Sequence, residues 1–140
     1  MAKKNNNLDT KDIKYIKLAY EQALINLGST KTNPSVGCVV VKNNAVISSG
    51  RTSMNGRPHA EANALKKKLS YKDSVLYVTL EPCSHYGQTP PCVKNIINKK
   101  IKKVIFSIND KDPRSKNLAF KKFKKAKVIV KKNILKKYAE

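Results

Sequence analysis

Three side chains suited to a soft divalent metal, His59, Cys83 and Cys92, lie far apart in this chain, and its fold is constrained above all by their need to meet. One imidazole and two thiolates fill three corners of a tetrahedron around zinc and leave the fourth open, as a hydrolytic site requires. Glu61 follows in His59-Ala60-Glu61, close enough to move protons between a water and a leaving amine without binding the metal itself. The constellation reads as a deaminase site holding Zn2+, one ion per chain. Taken singly, His59 would pass for a helix cap and Glu61 for a solvated first-turn carboxylate; their joint occurrence with Pro82-Cys83 and Cys92 is what points to chemistry. A closed structural zinc site would need a fourth ligand, for which His85 is the only other imidazole.

The pattern along the chain predicts an α/β domain. Residues 1–7 are charged, Asn-rich and without periodicity, a disordered arm in expectation. A helix then starts near Asp9 or Thr10, carries Ile13, Ile16, Tyr20, Ala23, Leu24 and Leu27 on one face, and stops at Gly28. Val36 to Lys42 and Ala45 to Gly50 form a hairpin about Asn43-Asn44, two residues that tolerate positive φ.

His59 opens a second helix expected to reach about Leu69, and a strand from Ser74 to Leu80 hands over to Glu81-Pro82-Cys83. Pro91 suits the first turn of a third helix, which places Cys92 at its start and turns Ile96 and Ile97 inward. Lys103 to Ile108 reads as a strand, and a basic helix with Leu118, Ala119 and Phe123 on one side follows. A short strand over Lys127 to Val130 and a helical tail from Ile134 to Tyr138 complete the pattern. Strands alternating with helices after a hairpin indicate a three-layer α/β/α sandwich with a mixed sheet of about five strands.

The spacing of the cysteines is distinctive. Many zinc deaminases carry both thiols in a short Pro-Cys-x-x-Cys turn, whereas Ser84 to Pro91 separate Cys83 from Cys92 here. With Thr79-Leu80-Glu81-Pro82-Cys83-Ser84-His85-Tyr86-Gly87-Gln88-Thr89-Pro90-Pro91-Cys92, Asn33-Pro34-Ser35-Val36-Gly37 and His59-Ala60-Glu61-Ala62-Asn63-Ala64-Leu65, the sequence closely resembles the pyrimidine deaminase domain of riboflavin biosynthesis, over residues 12–113. The resemblance implies a cytidine-deaminase-like fold. It also implies hydrolysis of 2,5-diamino-6-(5-phosphoribosylamino)pyrimidin-4(3H)-one to 5-amino-6-(5-phosphoribosylamino)uracil and ammonia.

It further implies that Asn33 lies beside the pyrimidine, that Ser84 and His85 line the pocket wall, that Gln88 faces the phosphate, and that Asp110 and Asp112 sit in a loop closing over the ligand. Three departures stand out. Gln88 replaces the usual lysine or arginine, Thr52 a frequent histidine, and Asn117-Leu118-Ala119 a glycine-rich turn. Lys111 and Lys116 are the candidates to supply the missing charge. In the family's usual bacterial form an NADPH-dependent reductase domain follows; this chain stops at Glu140, so the expectation is one deaminase domain over residues 8–140, no reductase domain, and a separate reductase subunit as a possible partner. Relatives assemble as dimers or larger, which makes a homo-oligomer the expectation.

Charge bears on the rival readings. Thirty lysines and arginines against nine acidic residues give a formal +21, a field that would suit nucleic acid. Only Arg51, Arg57 and Arg114 are arginine, however, the side chain whose planar fork recognises phosphates and bases. The excess lysine reads as solvated stems, and the expected anion is a small phosphoribosyl substrate rather than nucleic acid. A deaminase of a base in tRNA or single-stranded nucleic acid, and a non-catalytic zinc-stabilised partner of a reductase, are the alternatives. Cys38 lies in Val36-Gly37-Cys38-Val39-Val40-Val41 and reads as a small buried hydrophobe. No apolar run is long enough for a signal peptide or membrane span, and the unpaired cysteines fit a cytoplasmic chain.

Overall fold

A computed structural model describes residues 10–84, 91–109, 117–132 and 134. Its elements in chain order are α1 (Thr10–Ile25), β1 (Gly37–Lys42), β2 (Ala45–Arg51), α2 (Ala60–Ala64), β3 (Val75–Leu80), α3 (Cys92–Asn98), β4 (Lys103–Ile108), α4 (Leu118–Lys125) and β5 (Ile129–Lys131). The five strands make one sheet in the order β2-β1-β3-β4-β5. β1 runs antiparallel to β2 and β3, whereas β3, β4 and β5 are parallel. The mixed five-stranded sheet of the sequence reading is therefore present.

Alternation along the central strands divides the interior into two layers. Cys38, Val40, Leu76, Val78, Val104 and Phe106 point to one face, which α2, α3 and α4 cover with Ala60, Ala64, Val93, Ile96, Ala119 and Phe123. Val39, Val41, Tyr77 and Ile105 point to the other, where α1 covers them with Tyr15, Ile16 and Ala19. Each fully buried Ile, Val or Phe contributes about 1.5–3 kcal/mol by leaving water. Asn43 and Asn44 take φ of 54° and 64°, the left-handed pair of the expected hairpin turn.

The inward stripe of α1 differs from the expected one. Asp12, Tyr15, Ile16, Ala19 and Ala23 are buried, while Leu24 and Leu27 are 64% and 65% exposed. The helix is rotated because Asp12 finds partners inside: the Tyr77 hydroxyl donates to its Oδ1 at 2.8 Å and Lys131 Nζ lies 3.0 Å from Oδ2. Helix α1 also lies against the start of β1 so closely that a Cβ on Gly37 would collide with the Ala19 carbonyl.

Helix α2 is shorter than expected, ending at Ala64 instead of near Leu69. The Ala64 carbonyl accepts from the hydroxyls of Ser48 and Tyr71, and Tyr71 in turn accepts from the Lys67 amide at 3.1 Å. Side chains thus take the positions of the next helical hydrogen bonds. β5 starts two residues later than expected, with Val128 buried at the turn before it. The arm over 1–7 and, apart from buried Ile134, the tail over 134–138 lie outside the described residues. Among the described residues, no helix is long and apolar enough to cross a membrane.

Candidate metal and catalytic site

Two helix starts and one strand end build the site. His59 is the extended residue preceding α2, with φ −69° and ψ 164°, and Glu61 occupies the second position of that helix. Gly50 lets α2 lie directly on β2, since a Cβ there would run into the Ala60 carbonyl and the Ala64 amide. β3 delivers Cys83 three residues beyond Leu80, and the Glu81 amide extends its pairing to the Ile108 carbonyl at 2.8 Å. Cys92 is the first residue of α3, which Val93 and Ile96 anchor in the core. The Cys92 amide donates to Cys83 Sγ at 3.2 Å and the Val93 amide to the Cys83 carbonyl at 3.1 Å.

The three candidate ligand atoms lie within 4.8 Å of one another. His59 Nδ1 is 3.9 Å from Cys83 Sγ and 3.6 Å from Cys92 Sγ. Zn–N and Zn–S bonds of ordinary length at tetrahedral angles imply an N···S edge of about 3.6 Å. The donor set fits zinc in type as well as spacing, since two thiolates and an imidazole favour it over hard cations.

Electrostatics tie the three ligand candidates and Glu61 together. Hydrogen bonding from the Cys92 thiol draws Cys83 down to about 4, aided by His59 and the Cys92 amide and opposed by burial. Cys92 is raised in turn, first by its bond to Cys83 and then by burial. His59 is raised, chiefly by hydrogen bonding with Cys83. Glu61 is enclosed and pushed up to about 7 by burial, with the Cys83 thiolate adding to the rise. A carboxyl balanced near neutrality can both take and return a proton.

Cys38 is free and buried, its thiol pushed well up by burial and then by the charge of Glu61. This is the environment of a packing residue. Asn33 does more in the fold than expected: its Nδ2 donates to the Gly56 carbonyl at 2.9 Å, holding the turn before His59. Thr52 fastens the same region, accepting from the Val36 amide at 2.9 Å and donating to the Pro34 carbonyl at 3.1 Å.

Ser84 is 3% exposed, and among the described residues its Oγ has no hydrogen-bond partner. His85, Gln88, Asp110 and Asp112, with Lys111 and Lys116, lie outside the described residues. One contribution had no sequence signal. Lys122 of α4, one of the lysines the sequence presents as a solvated stem, donates to the Ser84 carbonyl at 2.8 Å and fixes the backbone beside Cys83.

The profile of the cytidine and deoxycytidylate deaminase zinc-binding region matches residues 9–108. The chain belongs to this zinc-dependent deaminase family. The deaminase is 39% identical over 127 residues to the diaminohydroxyphosphoribosylamino-pyrimidine deaminase of Buchnera aphidicola subsp. Acyrthosiphon pisum, covering 90% of its own length and 86% of that protein. It is equally 39% identical to riboflavin biosynthesis protein RibD of Bacillus amyloliquefaciens, of which it covers 34%. RibD of Acinetobacter baumannii superposes on the deaminase with a TM-score of 0.89 at 37% identity, over 93% of this chain and 37% of that one. Many of its relatives are thus about three times as long, whereas the Buchnera protein is of similar length.

Proposed function

We propose that the deaminase hydrolyses the ring amino group of 2,5-diamino-6-(5-phosphoribosylamino)pyrimidin-4(3H)-one, giving the 5-aminouracil nucleotide and ammonia. The reading rests on one juxtaposition: an imidazole and two sulfurs within 4.8 Å, flanked by the buried carboxyl of Glu61. The name of the similar-length Buchnera relative supports the substrate class. In this reading His59, Cys83 and Cys92 hold the zinc, which when bound supplies Lewis acidity to the reaction. Glu61 takes a proton from the attacking water and gives it to the departing nitrogen. A carbon–oxygen bond forms as the carbon–nitrogen bond breaks, and ammonia leaves.

Substrate contacts belong to the same proposal. The buried Ser84 hydroxyl, without a partner among the described residues, is suited to a ligand atom, because leaving it unbonded costs about 1–3 kcal/mol. Asn33 retains a carbonyl acceptor for the ring, while His85, Gln88, Asp110 and Asp112 complete the pocket in this reading. A homo-oligomer, cooperation with a reductase and a cytoplasmic location extend it.

Purified, zinc-loaded protein should release ammonia from the diaminopyrimidine nucleotide and leave tRNA and single-stranded DNA untouched. Ammonia from the nucleic acids alone would move the assignment to a base deaminase. Zinc uptake without ammonia from any of the three would leave a non-catalytic partner.

A further inference from the structure

We infer that Asn63 is a positioning residue that sets the His59 imidazole by clamping the connection between β2 and α2. Its Nδ2 faces three acceptors in that connection: the Arg51 carbonyl at 2.8 Å, Ser53 Oγ at 2.9 Å and the Pro58 carbonyl at 3.4 Å. They span the connection from the last residue of β2 to the residue immediately before His59. The Ser53 amide donates to the Pro58 carbonyl at 3.1 Å, closing the segment into a loop whose mouth the Asn63 amide occupies. The Asn63 backbone amide also donates to the His59 carbonyl at 3.1 Å, so the residue holds the peptide groups on both sides of His59.

The His59 side chain, on the extended residue before α2, makes no capping hydrogen bond to that helix. The clamp therefore restrains where its ring can lie, and an aspartate of the same shape would turn two donor hydrogens into a charge facing backbone carbonyls. Groups that orient a metal-binding side chain without touching the metal typically change affinity by about 10–100-fold when removed.

The inference rests on His59 being a zinc ligand, and His59→Ala tests that premise separately. That variant should lose stoichiometric zinc; retention would defeat the site assignment itself. The clamp is tested by competing zinc from the full chain with a chromophoric chelator, alongside circular dichroism of the metal-free protein. Asn63→Ala should bind zinc about 10–100-fold more weakly. Asn26→Ala is the matched control, because Asn26 Nδ2 donates to the Thr52 carbonyl at 2.9 Å and fastens the same connection from the α1 side. It should stay within about twofold of the unmodified chain.

Ser53→Ala removes one acceptor while leaving the amide in place, so it decides the matter if Asn63→Ala does not fold. It should weaken zinc by more than twofold. Zinc affinity within twofold for Asn63→Ala, or for Ser53→Ala where the first variant is unfolded, would overturn the inference. An equal loss in Asn26→Ala would also do so, by showing general loosening of the loop.

Discussion

Replacing Glu61 with glutamine keeps the shape of a buried side chain and removes its ability to carry a proton. Zinc content should remain one per chain while turnover falls about 10²–10⁴-fold, the usual contribution of general acid–base catalysis. Metal analysis beside an ammonia assay measures both, and near-normal turnover would sink the assigned role. The cysteines divide in a different way. Cys38→Ala should keep zinc and activity at a cost of about 1–2 kcal/mol in denaturant unfolding, as expected for lost packing volume. Cys83→Ala and Cys92→Ala should lose the ion. The fold does bring His59, Cys83 and Cys92 together, and that candidate ligand set was legible in the sequence because metal chemistry restricts residue type so narrowly. Thr52 was not, since nothing local reveals that its hydroxyl bridges Val36 and Pro34 across the loop.

The placement of α2 depends on a bare backbone contact, so Gly50→Ala should push the helix off β2. The expected cost is about 1–3 kcal/mol from overpacking, accompanied by a loss of zinc affinity as His59 and Glu61 shift. Chemical denaturation and zinc titration report the two effects; unchanged stability would show that the helix settles elsewhere without penalty. Tyr71→Phe should cost about 1–2 kcal/mol by leaving Lys67 and Ala64 short of a partner. Strand β4 and the Asn43-Asn44 turn could be read directly, because β-branched runs and left-handed asparagines are local signals. The end of α2 and the inward face of α1 could not. Both are decided by distant partners, Ser48 and Tyr71 in one case and Tyr77 and Lys131 in the other.

At the scale of the molecule, a formal charge of +21 sets folding against its own repulsion. Raising salt from about 0.05 to about 0.5 M shortens the screening length severalfold, so the melting temperature should rise. Over the same range kcat/KM for an anionic nucleotide should fall, as long-range attraction weakens. A melting temperature independent of salt would show that the lysines are spaced widely enough not to matter.

The two backbone amides of Cys92 and Val93 that donate to the sulfur and carbonyl of Cys83 have a consequence for how much change the segment between the sulfurs tolerates. Each sulfur has its own foundation, one at a strand end and the other on a docked helix, and the bonds stitch shut the base of the excursion between them. Substitutions between the two sulfurs should therefore disturb zinc affinity less than substitutions in α3 or at the end of β3, a difference that zinc titration measures.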